Sequence, residues 1–272
     1  MVVGIFLNSE DNDFMETPEP LYHYTSQKGL IGILESKKLW MTDILYLNDS
    51  SEFLGTIELV RSELLKHKKH IKNEILSGFY LIETILKYFL SINSTNTYVF
   101  SLSKYKDNIN HWRGYCPSIG GFCIEFDIDK LTTLISNNQG YKIGKCIYDR
   151  GLKKKIMNTI FGELVDESSL VVNFSKFFMG DFPFIKHESF RTEKEYRIVY
   201  FGSSNKVKYR EGKSMIIPYM EFSLDSVDLP ISRIIVGPTP HKELSKLSIE
   251  SLLKSNGYDI KVDSSVIPYR SW

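Results

Sequence analysis

Two stretches of strict alternation constrain this chain more than any other feature. Tyr98, Phe100 and Leu102 alternate with Val99, Ser101 and Ser103, and Phe122, Ile124 and Phe126 alternate with Cys123, Glu125 and Asp127 directly after Gly120-Gly121. Successive side chains of a strand point to opposite sides, so period two marks a strand with one face buried. A sheet with two unlike faces is therefore required. Runs rich in β-branched and aromatic residues predict further strands over Leu21–Thr25, Leu39–Thr42, 141–148, Glu195–Phe201, 206–210, 214–222, Arg233–Val236 and 258–263.

Helical spacing is concentrated elsewhere. Leu30, Ile33 and Leu34 repeat at helical intervals after Ser26, and Asp49-Ser50-Ser51-Glu52 has the pattern of a capping box ahead of the apolar face Phe53, Ile57, Val60 and Leu64. Ile71, Ile75, Phe79, Ile82 and Leu86 form one stripe over 71–91, so the two segments predict a helical hairpin. The basic run Lys66 to Lys72 reads either as a solvated helix end, where cations suit the dipole, or as a phosphate-binding patch. Shorter helices are predicted after residue 128, within 151–179 and near 241–255. Helices over 26–91 followed mainly by strands indicate an α+β protein, not alternating βαβ units. The expected organisation is a flexible arm over 1–20, ending in Glu-Thr-Pro-Glu-Pro, and then a single α+β domain over 21–272 in which 49–91 is a helical hairpin insertion.

Composition acts mainly by exclusion. The 272 residues carry 34 basic and 33 acidic side chains, so no whole-chain field draws in nucleic acid or an anionic membrane. Cys116, Cys123 and Cys146 are odd in number and match no zinc framework, which suits thiols in a reducing compartment. The apolar run Met1 to Leu7 lacks the basic flank and cleavage site of a signal peptide, and the greasiest later segment, Phe79 to Leu90, contains Glu83 and Lys87. A cytoplasmic chain without membrane contact is expected. No P-loop, G-x-G-x-x-G, G-x-S-x-G or H-E-x-x-H pattern occurs.

Polar residues that interrupt the strand patterns are the candidates for chemistry. His23-Tyr24-Thr25 puts an imidazole and two hydroxyl groups at a strand end, although a single histidine is more often an interior one bonded to backbone. Ser101 and Ser103 share the face opposite Phe100. On an extended backbone Glu193, Glu195 and Arg197 share a face opposite Lys194, Tyr196 and Ile198, as a surface ion-pair ladder or as a carboxylate oriented by an arginine in a cleft. Asn110-His111-Trp112-Arg113-Gly114-Tyr115 is expected on a connection, where Trp112 and Tyr115 offer stacking surfaces and Arg113 a cation. Glu125, Asp127, Asp129 and Lys130 hold the residue types of a metal-dependent nuclease at unspecific spacing.

Taken in order, Leu21-Tyr22-His23-Tyr24-Thr25, Leu47-Asn48-Asp49-Ser50-Ser51-Glu52, Phe100-Ser101-Leu102-Ser103, Trp112 with Tyr115 and Gly121, Glu193-Lys194-Glu195-Tyr196-Arg197, Ile234-Ile235-Val236-Gly237-Pro238 and Ile267-Pro268-Tyr269-Arg270 resemble the bacterial domain-of-unknown-function family 2971. A strand-end His with a neighbouring Tyr, a central strand with Ser and a late strand with Glu are similar to the three-part site of ADP-ribosyltransferases. That second resemblance implies a split, mostly antiparallel α+β sheet that clamps NAD as substrate, with no metal. It implies Glu195 as the catalytic carboxylate, Ser101 as its support, His23 on a ribose hydroxyl and Glu193 as the first carboxylate of an E-x-E pair. Tyr24, Thr25, Trp112, Arg113, Tyr115 and Arg197 become the NAD-binding set, with an aromatic on nicotinamide and an arginine on the pyrophosphate. The implied partner is an acceptor protein or nucleic acid, and the implied context a bacterial toxin or phage-defence effector. This sequence departs from the arginine-modifying pattern in carrying His23 where an Arg is usual, and in having Ser101-Leu102-Ser103 in place of Ser-Thr-Ser.

Overall fold

The computed structural model describes residues 19–47, 50–68, 76–91, 96–117, 120–148, 151, 167–202, 206–212, 214–224 and 229–268. In chain order the elements are β1 (Leu21–Thr25), α1 (Gln27–Ser36), β2 (Lys38–Asp43), α2 (Ser50–Lys68), α3 (Leu76–Ser91), β3 (Thr97–Ser103), α4 (Ile109–Tyr115), β4 (Phe122–Phe126), α5 (Ile128–Ser136), β5 (Tyr141–Lys145), α6 (Glu167–Gly180), β6 (Glu195–Phe201), β7 (Lys208–Glu211), β8 (Ile216–Ser223), β9 (Ile231–Val236), α7 (Lys242–Ser255) and β10 (Lys261–Ser264). The result is a mixed helix and strand architecture around one open, largely antiparallel sheet. Its strand path is β10-β9-β4-β1-β3-β2-β8-β7, with β6 pairing β3 and β5, and β10 and β9 run parallel while the other named strand pairs among the described residues are antiparallel.

The sheet branches at β3. One edge of β3 runs beside β6 along its whole length, from Thr97 opposite Phe201 to Ser103 opposite Glu195. The other edge is shared: Ser103 pairs with Tyr22 of β1, whereas Val99 and Tyr98 pair with Thr42 and Asp43 of β2. Ser101 lies between these two contacts, where β1 and β2 part.

The alternation that predicts β3 sorts its side chains cleanly. Tyr98, Phe100 and Leu102 join Ile198, Leu21, Ile124 and Ile234 in one large core, covered by α1, α5 and α7 through Leu30, Leu34, Leu131, Ile135, Ile249 and Leu253. Each such buried side chain contributes about 1.5–3 kcal/mol by leaving water. On the opposite face Val99 and Val199 pack under α2, α3 and α6 through Ile57, Val60, Phe79, Ile82, Leu170 and Phe174. A third cluster, Tyr22, Tyr24, Trp112, Cys123 and Ile235, covers that face farther along. Between the second and third clusters the same face carries Ser101, Ser103, Glu195 and Arg197, which cannot seal it.

Several expectations change on folding. The stretch expected as a connection, Asn110 to Tyr115, is helical in α4, because Asn108 caps it by accepting from the Asn110 N–H at 2.9 Å and because His111 and Trp112 are buried. Asp127 leaves the β4 alternation to cap α5, accepting from the Lys130 N–H at 3.1 Å. The last strand begins at Lys261, since Tyr258 instead reaches α1 and donates to the Leu34 carbonyl at 2.9 Å. The arm up to residue 18, Asn48 and Asp49 of the capping box, Ile71, Ile75 and the basic residues from Lys69 to Lys72, most of the segment from 151 to 166, and Tyr269-Arg270 lie outside the described residues, as does the Phe53 side chain.

Candidate active site

Glu195 and Arg197, two positions apart on β6, point to the same face and are 5% and 2% exposed. The Arg197 Nε donates to Glu195 Oε1 at 2.9 Å and its Nη2 to Oε2 at 3.3 Å, while its Nη1 donates to the Pro183 carbonyl at 2.7 Å. Lys186 completes the group: its Nζ donates at 2.6 Å to Glu195 Oε2 and at 2.6 Å to Glu193 Oε2. The ammonium is 4% exposed and sits 4.6 Å from the centre of the Phe190 ring. An isolated bridge between Ile147 and Ile185 fixes this segment, with the Lys186 N–H donating to the Ile147 carbonyl at 3.0 Å. Two carboxylates, one ammonium and one guanidinium thus share a buried site whose formal charges cancel.

Glu193 does not lie on the strand. It ends a 3-10 segment over Glu188–Glu193, and Lys194 takes a left-handed conformation (φ 44°, ψ 49°) before β6 begins. This turn, and not the expected extended run, sets Glu193 beside Glu195. The Glu193 carbonyl also accepts from Ser103 Oγ at 2.8 Å and faces His111 Nε2 at 3.3 Å. Burial would raise the Glu195 pKa, but the Arg197 guanidinium and then the Lys186 ammonium outweigh it and hold the carboxyl at about 2. Glu195 is therefore ionised at neutral pH.

Above this group opens a cavity of about 310 Å³ lined by Ser101, His111, Tyr115, Lys186, Glu193 and Glu195 together with Leu47, Asn110, Gly114, Ser189, Phe190 and Thr192. A smaller recess of about 50 Å³ adjoins it and brings in Tyr22, His23, Tyr24, Leu102 and Ser103, sharing Ser101, His111, Tyr115, Glu193 and Glu195 with the first. His23, Ser101, Glu193, Glu195, Tyr24 and Tyr115 are thus drawn together.

His23 occupies the split in the sheet. Its Nδ1 lies 2.9 Å from the Ser101 carbonyl, and since a carbonyl only accepts, Nδ1 carries the proton. The imidazole stacks on Phe100 with ring centres 4.2 Å apart. Burial lowers its pKa to about 4, against a weaker upward pull from the Ser101 bond, so the ring is neutral. Tyr24 donates to the Tyr105 carbonyl at 2.8 Å and accepts from the Asn108 N–H at 3.1 Å. Burial pushes its phenol well above the ordinary range.

Four of the expected binding residues stand apart from the cavity. Thr25 turns its Oγ1 onto α1, where a Cβ at position 29 would fall 2.0 Å away, so glycine is needed there. Trp112 is 2% exposed in the third cluster, with Nε1 donating to Asp107 Oδ1 at 2.6 Å. Arg113 is exposed on the outer side of α4 and lines neither cavity. Arg197 lies beneath Glu195, spent on that carboxylate and on Pro183, and is not part of the cavity wall. Asp107 is a hub that the sequence does not single out: besides Trp112 it accepts from Ser265 Oγ at 2.8 Å and from the Val266 N–H at 2.9 Å, pinning α4 to the segment after β10.

Lys186 and His111 are titratable wall residues that sequence reasoning leaves without a role. A lone lysine after the apolar run Phe182-Pro183-Phe184-Ile185 was the available signal for the first. The residues weighed as a nuclease set are engaged elsewhere: Glu125 accepts from Ser232 Oγ at 2.8 Å and pairs with Arg233 at 3.4 Å, and Asp127 caps α5. Among the described residues no group of three or more His, Cys, Asp or Glu is placed to hold a metal ion, and no helix is long and apolar enough to cross a membrane.

Residues 111–198 match the model of a family described as "Protein of unknown function (DUF2971)". The matched span begins at His111 on α4 and includes Lys186, Glu193, Glu195 and Arg197. Comparisons with curated proteins and with solved structures give no match.

Proposed function

We propose that the cleft binds NAD and breaks the bond between nicotinamide and ribose, passing ADP-ribose to an acceptor protein or nucleic acid in the manner of a bacterial toxin or phage-defence effector. The observation that carries this reading is the convergence of His23, Ser101 and Glu195, from β1, β3 and β6, on one recess at the branch of the sheet. Departure of nicotinamide leaves an oxocarbenium-like ribose, which an ionised carboxylate stabilises electrostatically. Glu195 supplies that charge, and Arg197 beneath it keeps the carboxyl ionised and oriented. Ser101 and Glu193 flank it, and Tyr115 and Tyr24 give aromatic faces on the same wall. Lys186, rather than Arg113 or Arg197, is the cation that lines the cavity, so the pyrophosphate role passes to it.

One observation favours a second reading. Both carboxylate oxygens of Glu195 already receive hydrogen bonds from Arg197 and Lys186, which also suits the scaffold of a nucleotide- or peptide-binding module with no turnover. Incubating the purified chain with NAD and following free nicotinamide separates the two. Release that falls about 10²- to 10³-fold in Glu195→Gln supports the enzyme. Binding of NAD without release selects the module, and neither binding nor release overturns the NAD reading.

A further inference from the structure

The geometry points to His111 as the general base that takes the proton of the acceptor, an inference that rests on the NAD reading above. His111 is 4% exposed and lines both the main cavity and its recess. Its Nε2 faces the Glu193 carbonyl at 3.3 Å, and because that oxygen only accepts, Nε2 carries the proton and Nδ1 is left as a lone pair. Nδ1 is buried with no hydrogen-bond partner among the described residues. Among the described residues the other such side-chain atoms are guanidinium nitrogens of Arg61 and Arg210, away from the cleft. A buried acceptor without a partner is costly wherever it occurs, and in a residue that lines a cavity it suits a donor that arrives with the ligand.

The ring is held for that task. Tyr24 lies against it with ring centres 4.8 Å apart and Tyr115 at 5.8 Å, while Tyr105 meets it edge-on at 6.1 Å. The charged groups that face it are Glu193 and Lys186 from the segment before β6, and Glu195 from β6 itself. Burial lowers the His111 pKa against the upward pull of Glu193, which keeps Nδ1 unprotonated at neutral pH.

In the proposed step an acceptor oxygen or nitrogen bonds to C1′ of the ribose. The bond from C1′ to the nicotinamide nitrogen breaks, and its electron pair neutralises the positive pyridinium. The proton of the acceptor passes to Nδ1, and the imidazolium so formed lies near Glu193 and Glu195, whose charge stabilises it. His111 thereby divides the labour with Glu195: the carboxylate serves the ribose and the imidazole serves the nucleophile.

The test uses water as acceptor, measuring nicotinamide release from NAD by the full chain from acid to neutral pH. In His111→Gln the amide N–H still donates to the Glu193 carbonyl, but nothing stands in for the basic Nδ1. Release should fall about 10²- to 10⁴-fold with NAD binding retained by calorimetry, and the loss of rate toward acid pH expected of the wild type should vanish. His111→Asn serves as the second variant should the first fail to fold, with the same expectation. Release at the wild-type rate in either variant overturns the role of His111 and leaves the NAD reading standing. So does loss of NAD binding in step with turnover, which would mark the residue as structural. A wild-type chain that releases no nicotinamide overturns both.

Discussion

The two faces of the sheet carry the same strands to different ends. On one face Phe100, Leu102, Ile198, Ile124 and Ile234 form a continuous apolar surface that α1, α5 and α7 cover completely. On the other, Val99 and Val199 begin an apolar surface that stops at Ser101 and Arg197, and resumes only at Tyr22, Tyr24 and Cys123. The interruption holds Lys186, Glu193, Glu195 and Arg197, with the cavity above them. A sheet of this kind gains its stability from the sealed face. The divided face can then hold buried charge, whose desolvation is offset by pairing.

That contrast can be broken most severely at the charges. Lys186→Met removes the cation that Glu193 and Glu195 share and leaves Arg197 paired with Glu195 alone, and should destabilise the fold by about 3–5 kcal/mol, read by chemical denaturation. Acid offers a finer probe of the buried titratable groups on the two faces. The folded pKa of His23 is lowered from 6.5 to about 4, so the unfolded chain binds a proton first and stability should decline as pH falls between those values. The carboxyl of Glu195, lowered from 4.5 to about 2, contributes stability that is present above the first value and lost toward the second. His23→Phe should lessen the decline above pH 4.5, the remainder belonging to His111, whose pKa burial also lowers, and leave the lower one, which thermal melts across pH would show. Smallest is a trim on the sealed face: Ile198→Val should cost about 0.5–1.5 kcal/mol and leave nicotinamide release unchanged. A larger change in release from Ile198→Val than from any cleft variant would end the division of labour between the faces.

The sealed face was readable in the sequence because a buried strand face repeats every second residue, as Tyr98, Phe100 and Leu102 do. Helix α4 was hidden by its length of seven residues, too short for a periodic stripe. Glu193 was misassigned to the strand because the chain turns at Lys194, where a lysine stands in a left-handed conformation that glycine or asparagine would have announced. Lys186 sits between 3-10 segments that carry no period at all. His23, Ser101 and Glu195 could be named from local motifs. Their meeting depends on β1, β3 and β6 pairing across intervals of 78 and 90 or more residues, and no local pattern encodes such pairing.

The branch at β3 also divides the sheet into two unequally stitched parts. Among the described residues each arm meets β3 through very few register pairs, Tyr22 with Ser103 on one side and Thr42 and Asp43 with Val99 and Tyr98 on the other. By contrast β6 is laced to β3 along its full length. The imidazole of His23 takes the place of a ladder bond at the Ser101 carbonyl and ties the β1 arm to β3. The recess therefore opens at a seam held by few ladder pairs, with Ser101 at its centre.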